Sequence, residues 1–128
     1  MLVLTKGTTS DIIVTLTEKE SGSFTHYLFV FTNKQTAAIV TVIKAIADDL
    51  SLYQYRYNQF SIASTVFEDE LPGMWSYKVY QQSSDSNTDP ALAGILLEQG
   101  FMRLLPASAF EYEAYDDNEG EVFKAYNG

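Results

Sequence analysis

Acidic side chains form the densest group of chemically capable residues in the sequence. Six carboxylates and no basic residue lie between Glu111 and Glu121. Carboxylate oxygens are the ligands that Ca²⁺ prefers, so these residues are a candidate cation site. However, the run 116–120 places its glycine one position too early for an EF-hand loop and lacks the distant glutamate. The sequence therefore favours the solvated acidic face of a hairpin over a cation site, and we predict no metal and no cofactor.

The remaining residues of catalytic type are scattered. Glu68 with Glu70, and Asp48 with Asp49, have the makings of acid/base pairs for glycoside cleavage, but carboxylates so close in sequence are more often loop charges. The single histidine, His26, begins a hydrophobic strand, where hydrogen bonding to neighbours is favoured over a pH switch. The sequence has no Gly-rich phosphate loop and no Ser nucleophile elbow. We predict that the protein is not an enzyme.

A group of aromatic residues is a candidate for binding a partner protein. Tyr53, Tyr55 and Tyr57 alternate with polar residues, and Arg56 lies among them. Tyrosine and arginine are enriched at the centres of protein–protein interfaces. These four residues are therefore interface candidates, while rings that cap the core remain an equally weighted alternative.

The elements that position these residues are organised around residues 25–43. Two β-branched and aromatic runs, 26–32 and 36–43, flank the short polar connector 33–35, which predicts a β-hairpin. The first run is apolar on both faces and needs cover on both sides, from a second sheet or from a neighbouring molecule. Its aromatic face is a further set of interface candidates, which comprises Tyr27, Phe29 and Phe31.

Period-two patterns predict further strands on both sides of this hairpin. Those before residue 82 are at 2–4, 11–17, 59–63 and 74–81, with 18–23 as a hairpin loop into the central pair. Residues 82–90 predict a long loop, and Gln99-Gly100 predicts a tight turn between strands 95–98 and 101–105. Two last strands are expected at 110–115 and 122–126. Eight or nine short strands in one domain, residues 1–128, predict an all-β fold, an antiparallel β-sandwich or small barrel.

Charge and composition narrow the classes of partner. The net charge is −9, and the eight basic residues are scattered singly, so nucleic-acid binding is not expected. No apolar stretch approaches the roughly 20 residues that cross a bilayer, and the N-terminus lacks a signal-peptide pattern. The chain has no cysteine, which excludes disulfides and thiolate metal sites. We expect synthesis in the cytoplasm and no membrane partner.

Five segments carry a resemblance to a known family. They read HYLFVFTN from His26, YNQF from Tyr57, GMWSYKVYQQ from Gly73, NTDP from Asn87 and LLEQG from Leu96. With these segments the chain resembles a small family of virion-associated proteins of tailed phages that infect Bacteroidetes, including crAss-like phages. The resemblance runs from about Leu4 to the final Gly128. It implies a location in the virion and carries no catalytic residues.

The resemblance and the aromatic surfaces together predict a structural protein of a phage particle. We expect a capsid-associated or decoration protein, made in the bacterial host cytoplasm, that contacts the capsid, other virion proteins or copies of itself in a many-copy assembly. A position in the neck or tail fits the same chemistry. A carbohydrate- or cell-surface-binding module, in which exposed rings stack on sugars, is the alternative from a different class.

Overall fold

The computed structural model describes residues 1–107, which fold into seven β-strands. No helix of seven residues or more occurs in this part of the chain, so the predicted all-β class is confirmed. Three single-turn 3₁₀ segments lie at Thr17–Lys19, Ile46–Asp48 and Pro90–Leu92. The strands are β1 Leu2–Thr5, β2 Ser10–Val14, β3 His26–Asn33, β4 Ile39–Ala45, β5 Asn58–Ile62, β6 Gly73–Gln82 and β7 Leu96–Leu105.

The strands form a five-stranded sheet and a two-stranded sheet. The larger sheet has the order β1-β7-β6-β3-β4, and the smaller sheet pairs β2 with β5. Every pair is antiparallel except β1 with β7, which is parallel. The large sheet curls towards the small one, so the predicted sandwich-like architecture is confirmed, with the difference that the larger sheet is mixed.

The core lies between the inner face of the large sheet and the small sheet. Aromatic rings from both sides meet edge to face, which is a favoured geometry for aromatic pairs. The centroids of Phe29 and Phe60 are 5.3 Å apart, and those of Phe67 and Trp75 are 5.4 Å apart. Phe67 also contacts Phe31 at 5.2 Å, so the loop after β5 closes one end of the core.

Strand β3 is an interior strand of the large sheet, between β6 and the edge strand β4. Its side chains are buried on both faces, as the doubly apolar sequence predicts. Tyr27, Phe29 and Phe31 face the core, whereas Leu28 and Val30 are buried outside the main core cluster. The second sheet therefore provides the cover for the aromatic face.

Two predicted turns are wrong. Residues 18–23 do not form a hairpin loop into β3, because β2 pairs with β5 and the connection crosses from one sheet to the other. Gln99-Gly100 is not a turn, because β7 runs without interruption from Leu96 to Leu105. Gly100 lies opposite Tyr77, where an added Cβ would approach the tyrosine ring to 3.0 Å. The glycine makes room for that ring and does not reverse the chain.

The expected last strands, 110–115 and 122–126, lie outside the described residues. The same holds for the acidic run from Glu111 to Glu121.

Candidate functional site

The most exposed aromatic side chains of the described residues lie in one loop, residues 51–57, which we call the tyrosine loop. It connects the second 3₁₀ segment to β5. Tyr55 is 86% exposed and Tyr53 is 58% exposed, so neither ring caps the core. Arg56 is exposed beside them, while Tyr57 is half-buried where the loop returns to β5. Of the four residues predicted from this stretch, three therefore share an open surface.

The two ends of the tyrosine loop are tied together by Asp49 and Asn58. The Asn58 side-chain amide donates to Asp49 Oδ2 at 2.7 Å. The other carboxylate oxygen, Asp49 Oδ1, accepts from the backbone N–H groups of Ser51 at 2.9 Å and Gln59 at 3.0 Å. The Leu50 N–H donates to the carbonyl of Gln59, the second residue of β5, at 2.7 Å, which joins the residue before the loop to that strand. The loop therefore begins and ends on a closed stem.

Asn58 also joins this stem to the rest of the fold. It is only 1% exposed, and its Oδ1 accepts from the Leu16 N–H at 2.8 Å. Its amide donates to Thr17 Oγ1 at 3.1 Å as well. Because a buried amide with satisfied donors and acceptor has a single favourable orientation, Asn58 fixes the position of the stem on the core.

The tip of the loop is closed by its own hydrogen bonds. The Tyr53 N–H donates to Ser51 Oγ at 3.0 Å. The Tyr53 carbonyl then accepts from the N–H groups of Arg56 at 2.8 Å and Tyr57 at 3.1 Å, which forms a compact turn. A loop whose backbone is already ordered loses less conformational entropy when a partner binds it. The two exposed rings are thus presented on a preorganised backbone.

The other three interface candidates do not share this surface. Tyr27, Phe29 and Phe31 are buried in the core, so the interpretation that they contact a partner is corrected. The Tyr27 hydroxyl donates to Glu20, and burial together with that carboxylate raises the pKa of Tyr27 far above its usual value. These rings pack against the second sheet, whose position the strand's own sequence does not reveal.

Sequence reasoning missed Leu52, which is exposed at the tip beside Tyr53. An apolar residue next to alternating tyrosines was the available signal. With Tyr53 and Tyr55 it gives the loop three exposed large side chains, which together with Arg56 form a contact surface of mixed apolar and polar character.

A second tyrosine–carboxylate pair joins the two sheets elsewhere, with Tyr77 buried and Glu98 half-buried. The Tyr77 hydroxyl donates to Glu98 Oε2 at 2.5 Å, and Glu98 Oε1 accepts from the Thr15 N–H at 2.7 Å. The pKa of Tyr77 is raised well above its usual value. Burial is the largest cause, and the hydrogen bond to Glu98 is the next. Since the pair connects β6 and β7 to the end of β2, its role is to hold the two sheets together.

His26, Asp48 and Asp49 hydrogen-bond to nearby groups of the chain. His26 Nδ1 lies 2.7 Å from the hydroxyl of the adjacent Thr25. Asp48 Oδ2 accepts from the Ala45 N–H at 2.9 Å, so Asp48 and Asp49 both bind backbone groups. Within residues 1–107 no group of three or more His, Asp or Glu side chains is placed to hold a metal ion. No helix in this range is long and apolar enough to cross a membrane.

Neither a protein-family model nor a curated protein sequence matches the chain. The function is therefore inferred from the geometry of the tyrosine loop and from the sequence resemblance described above.

Proposed function

We propose that this chain is a structural protein of a tailed-phage particle, capsid-associated or decorating the capsid, and that it contacts its partner through the tyrosine loop. The observation that carries the proposal is the presentation of Tyr53 and Tyr55 to solvent on a stem fixed by Asp49 and Asn58. The resemblance to virion-associated proteins supports the location.

The loop has the physical properties of an interface anchor. Tyrosine supplies a large, rigid contact area at the cost of only two side-chain torsions, together with a polar tip. Tyr53 and Tyr55 are accompanied by the exposed Leu52 and Arg56, which add apolar area and a charge. When such side chains become fully desolvated in a partner's pocket, each typically contributes about 2 kcal/mol or more to binding.

One loop is smaller than a standard interface, which buries about 800 Å² on each partner. A many-copy assembly compensates for this, because repeated weak contacts on one lattice strengthen one another through avidity. The partners that suit this arrangement are capsid or other virion proteins and further copies of the chain itself.

The proposal is tested by measuring the binding of purified protein to phage particles that lack it, by co-sedimentation. We expect the double variant Tyr53→Ser/Tyr55→Ser to bind at least about tenfold more weakly than the unmodified chain, because two anchors are lost. Ile13→Ser, which removes an exposed apolar side chain from β2, is the matched control and should bind normally.

Equal binding by the double variant and the control would refute the role of the tyrosine loop. Binding to a glycan array that is lost in the same double variant would instead indicate the carbohydrate-binding alternative. Co-sedimentation of the unmodified chain with tail or neck assemblies, and not with capsids, would assign it to the tail or neck of the particle.

A further inference from the structure

Strand β4 forms the longer of the two edges of the large sheet. It spans the seven residues Ile39–Ala45, whereas the other edge strand, β1, has four residues. Its first five residues, IVTVI, are all β-branched, its one charged residue is Lys44, and its register with β3 has no bulge. Proteins usually protect a sheet edge with charges, proline, a bulge or a short strand. A long, regular and nearly uncharged edge is therefore suited to pairing with another strand.

The hydrogen bonds at the two ends of the β3–β4 ladder show which backbone groups of β4 point away from β3. The Asn33 N–H donates to the Ala38 carbonyl at 2.8 Å, and the Ile46 N–H donates to the Thr25 carbonyl at 3.1 Å. Bonded pairs alternate with non-bonded pairs along an antiparallel ladder, so the even-numbered residues of β4 bond to β3. The odd-numbered residues direct their N–H and C=O groups to the open edge, and these are Ile39, Thr41, Ile43 and Ala45.

The open part of this edge is limited at both ends. The Ala45 N–H donates to Asp48 Oδ2 at 2.9 Å, so a carboxylate already occupies the edge where β4 ends. Before β4, Ala37 has a positive φ of 63° in the turn that leads back to β3. Within residues 1–107, the outward backbone groups between these limits bond to no other backbone group. The open edge is therefore the short run 39–43, with Thr41 at its centre.

We propose that β4 pairs antiparallel with β4 of a second copy of the chain, with Thr41 of one copy opposite Thr41 of the other. A run that has outward groups at its centre and at both ends matches its own antiparallel copy completely. Ile39 exchanges both hydrogen bonds with Ile43 of the second copy, and Thr41 does so with its counterpart. The two large sheets then form one continuous sheet about a two-fold axis, the commonest symmetry of homo-oligomers.

Backbone groups and side chains both favour this register. The next bonded register in one direction would pair Ile39 with Ala45, whose N–H is already occupied. The next one in the other direction would pair Ile43 with Ala37, which lies in the turn. In the proposed register Ile39, which is 65% exposed, lies opposite an isoleucine, so the pairing covers apolar area. The Lys44 side chains of the two copies lie at opposite ends of the paired strands and do not repel each other closely.

Sedimentation equilibrium of the full chain tests for this dimer. Pairing along one short edge buries less area than a standard interface, so the dimer should dissociate on dilution. We expect the measured mass to rise from 14.4 kDa towards twice that value as the protein concentration increases to about 1 mM. The mass of a single chain at every concentration would overturn the proposal. The contact uses no residue of the tyrosine loop, so this result and the particle-binding result are independent.

Proline at position 41 tests whether the dimer forms through the edge of β4. Thr41→Pro removes an outward N–H at the two-fold axis and leaves the bonds to β3 in place. Each copy then loses a bond at the axis, so we expect at least about tenfold weaker self-association, with the fluorescence of the buried Trp75 unchanged. Thr41→Val keeps the N–H and nearly the same shape, and this matched control should dimerise normally. Unchanged dimerisation of Thr41→Pro would contradict pairing through β4.

Opposite charges at position 41 test the register and do not depend on tolerance of proline. Thr41→Lys and Thr41→Glu each place like charges face to face at the axis, so each variant alone should self-associate at least about tenfold more weakly. Mixed in equal amounts, the two variants should form a heterodimer, which native mass spectrometry distinguishes from both homodimers. A mixture that associates no more strongly than the separate variants would exclude Thr41 opposite Thr41.

Amide exchange measured by NMR distinguishes a second copy from a strand of the same molecule as the occupant of the edge. The N–H groups of Ile39, Thr41 and Ile43 should exchange at least about tenfold more slowly in concentrated than in dilute solution. Protection that does not change with concentration would show that the edge is covered within one molecule, and would overturn the proposal. So would self-association that is lost in Tyr53→Ser/Tyr55→Ser and retained in Thr41→Pro, because the contact would then belong to the tyrosine loop.

Discussion

Replacing Asn58 by alanine should destabilise the protein more than most single substitutions, because Asn58 is buried and fully bonded. The change leaves the N–H of the buried Leu16 without its acceptor at 2.8 Å, which costs about 1–3 kcal/mol. It also removes the donor to the Asp49 carboxylate at 2.7 Å, and a hydrogen bond to a charged group is worth about 1.5–3 kcal/mol. We therefore expect the free energy of unfolding to fall by about 3–5 kcal/mol, a large fraction of the 5–15 kcal/mol typical of a domain.

Urea unfolding followed by tryptophan fluorescence measures this loss, because the single tryptophan, Trp75, is buried in the core. Gln54→Ala, which removes an exposed polar side chain from the same loop, is the control and should change the free energy by less than about 0.5 kcal/mol. A loss below about 1 kcal/mol for Asn58→Ala would refute the inference that Asn58 fixes the loop stem to the core.

Three further predictions concern Gly100, Tyr77 and Tyr55. Gly100→Ala should lower the free energy of unfolding by about 1–3 kcal/mol, because the added Cβ meets the Tyr77 ring at 3.0 Å. Thermal unfolding measures this change, and an increase in stability would contradict the close approach. The raised pKa of Tyr77 means that the folded state holds the hydroxyl proton more tightly than the unfolded state does. The contribution of this hydroxyl to the free energy of unfolding is therefore complete below about pH 10 and is lost as the pH rises further. Tyr77→Phe should therefore reduce the alkaline loss of stability, by at most about 1.4 kcal/mol per pH unit, in urea titrations at several alkaline pH values; an unchanged slope would argue against the burial of that hydroxyl. Tyr55→Ala should change stability by less than about 0.5 kcal/mol while weakening particle binding, and a large loss of stability would indicate that the ring packs on the fold.

Local patterns predicted the strands well where burial is strongly alternating. In β6, Trp75, Tyr77 and Val79 are all buried, as their spacing indicates. Pairing partners were less predictable, because alternation identifies the buried face and not the neighbouring strand. The antiparallel pairing of β2 with β5, across more than forty residues, and the parallel pairing of β1 with β7 join segments that are distant in sequence.

The other wrong predictions arose where one sequence feature is compatible with two structural roles. A glycine within a polar dipeptide is typical of a turn, but it also occurs where a neighbouring ring needs space, as Gly100 does beside Tyr77. The aromatic face of β3 suggested a partner surface because the small sheet that covers Tyr27 and Phe29 is formed from other parts of the chain. Composition identified Tyr53, Tyr55 and Arg56 as interface candidates but weighed rings that cap the core equally, and the exposure of the loop decides between the two. The bonding of Asn58 was not predictable, since asparagine in sequence mainly indicates a turn.

Quantitative mass spectrometry of purified phage particles from a culture that makes the chain tests the proposed function most directly. We predict that the chain is present in the particle, with a copy number on the order of hundreds, comparable with that of the major capsid protein, if it decorates the capsid lattice. About a dozen copies would assign it to a vertex, the neck or the tail. Absence from the particle would contradict a structural role in the virion.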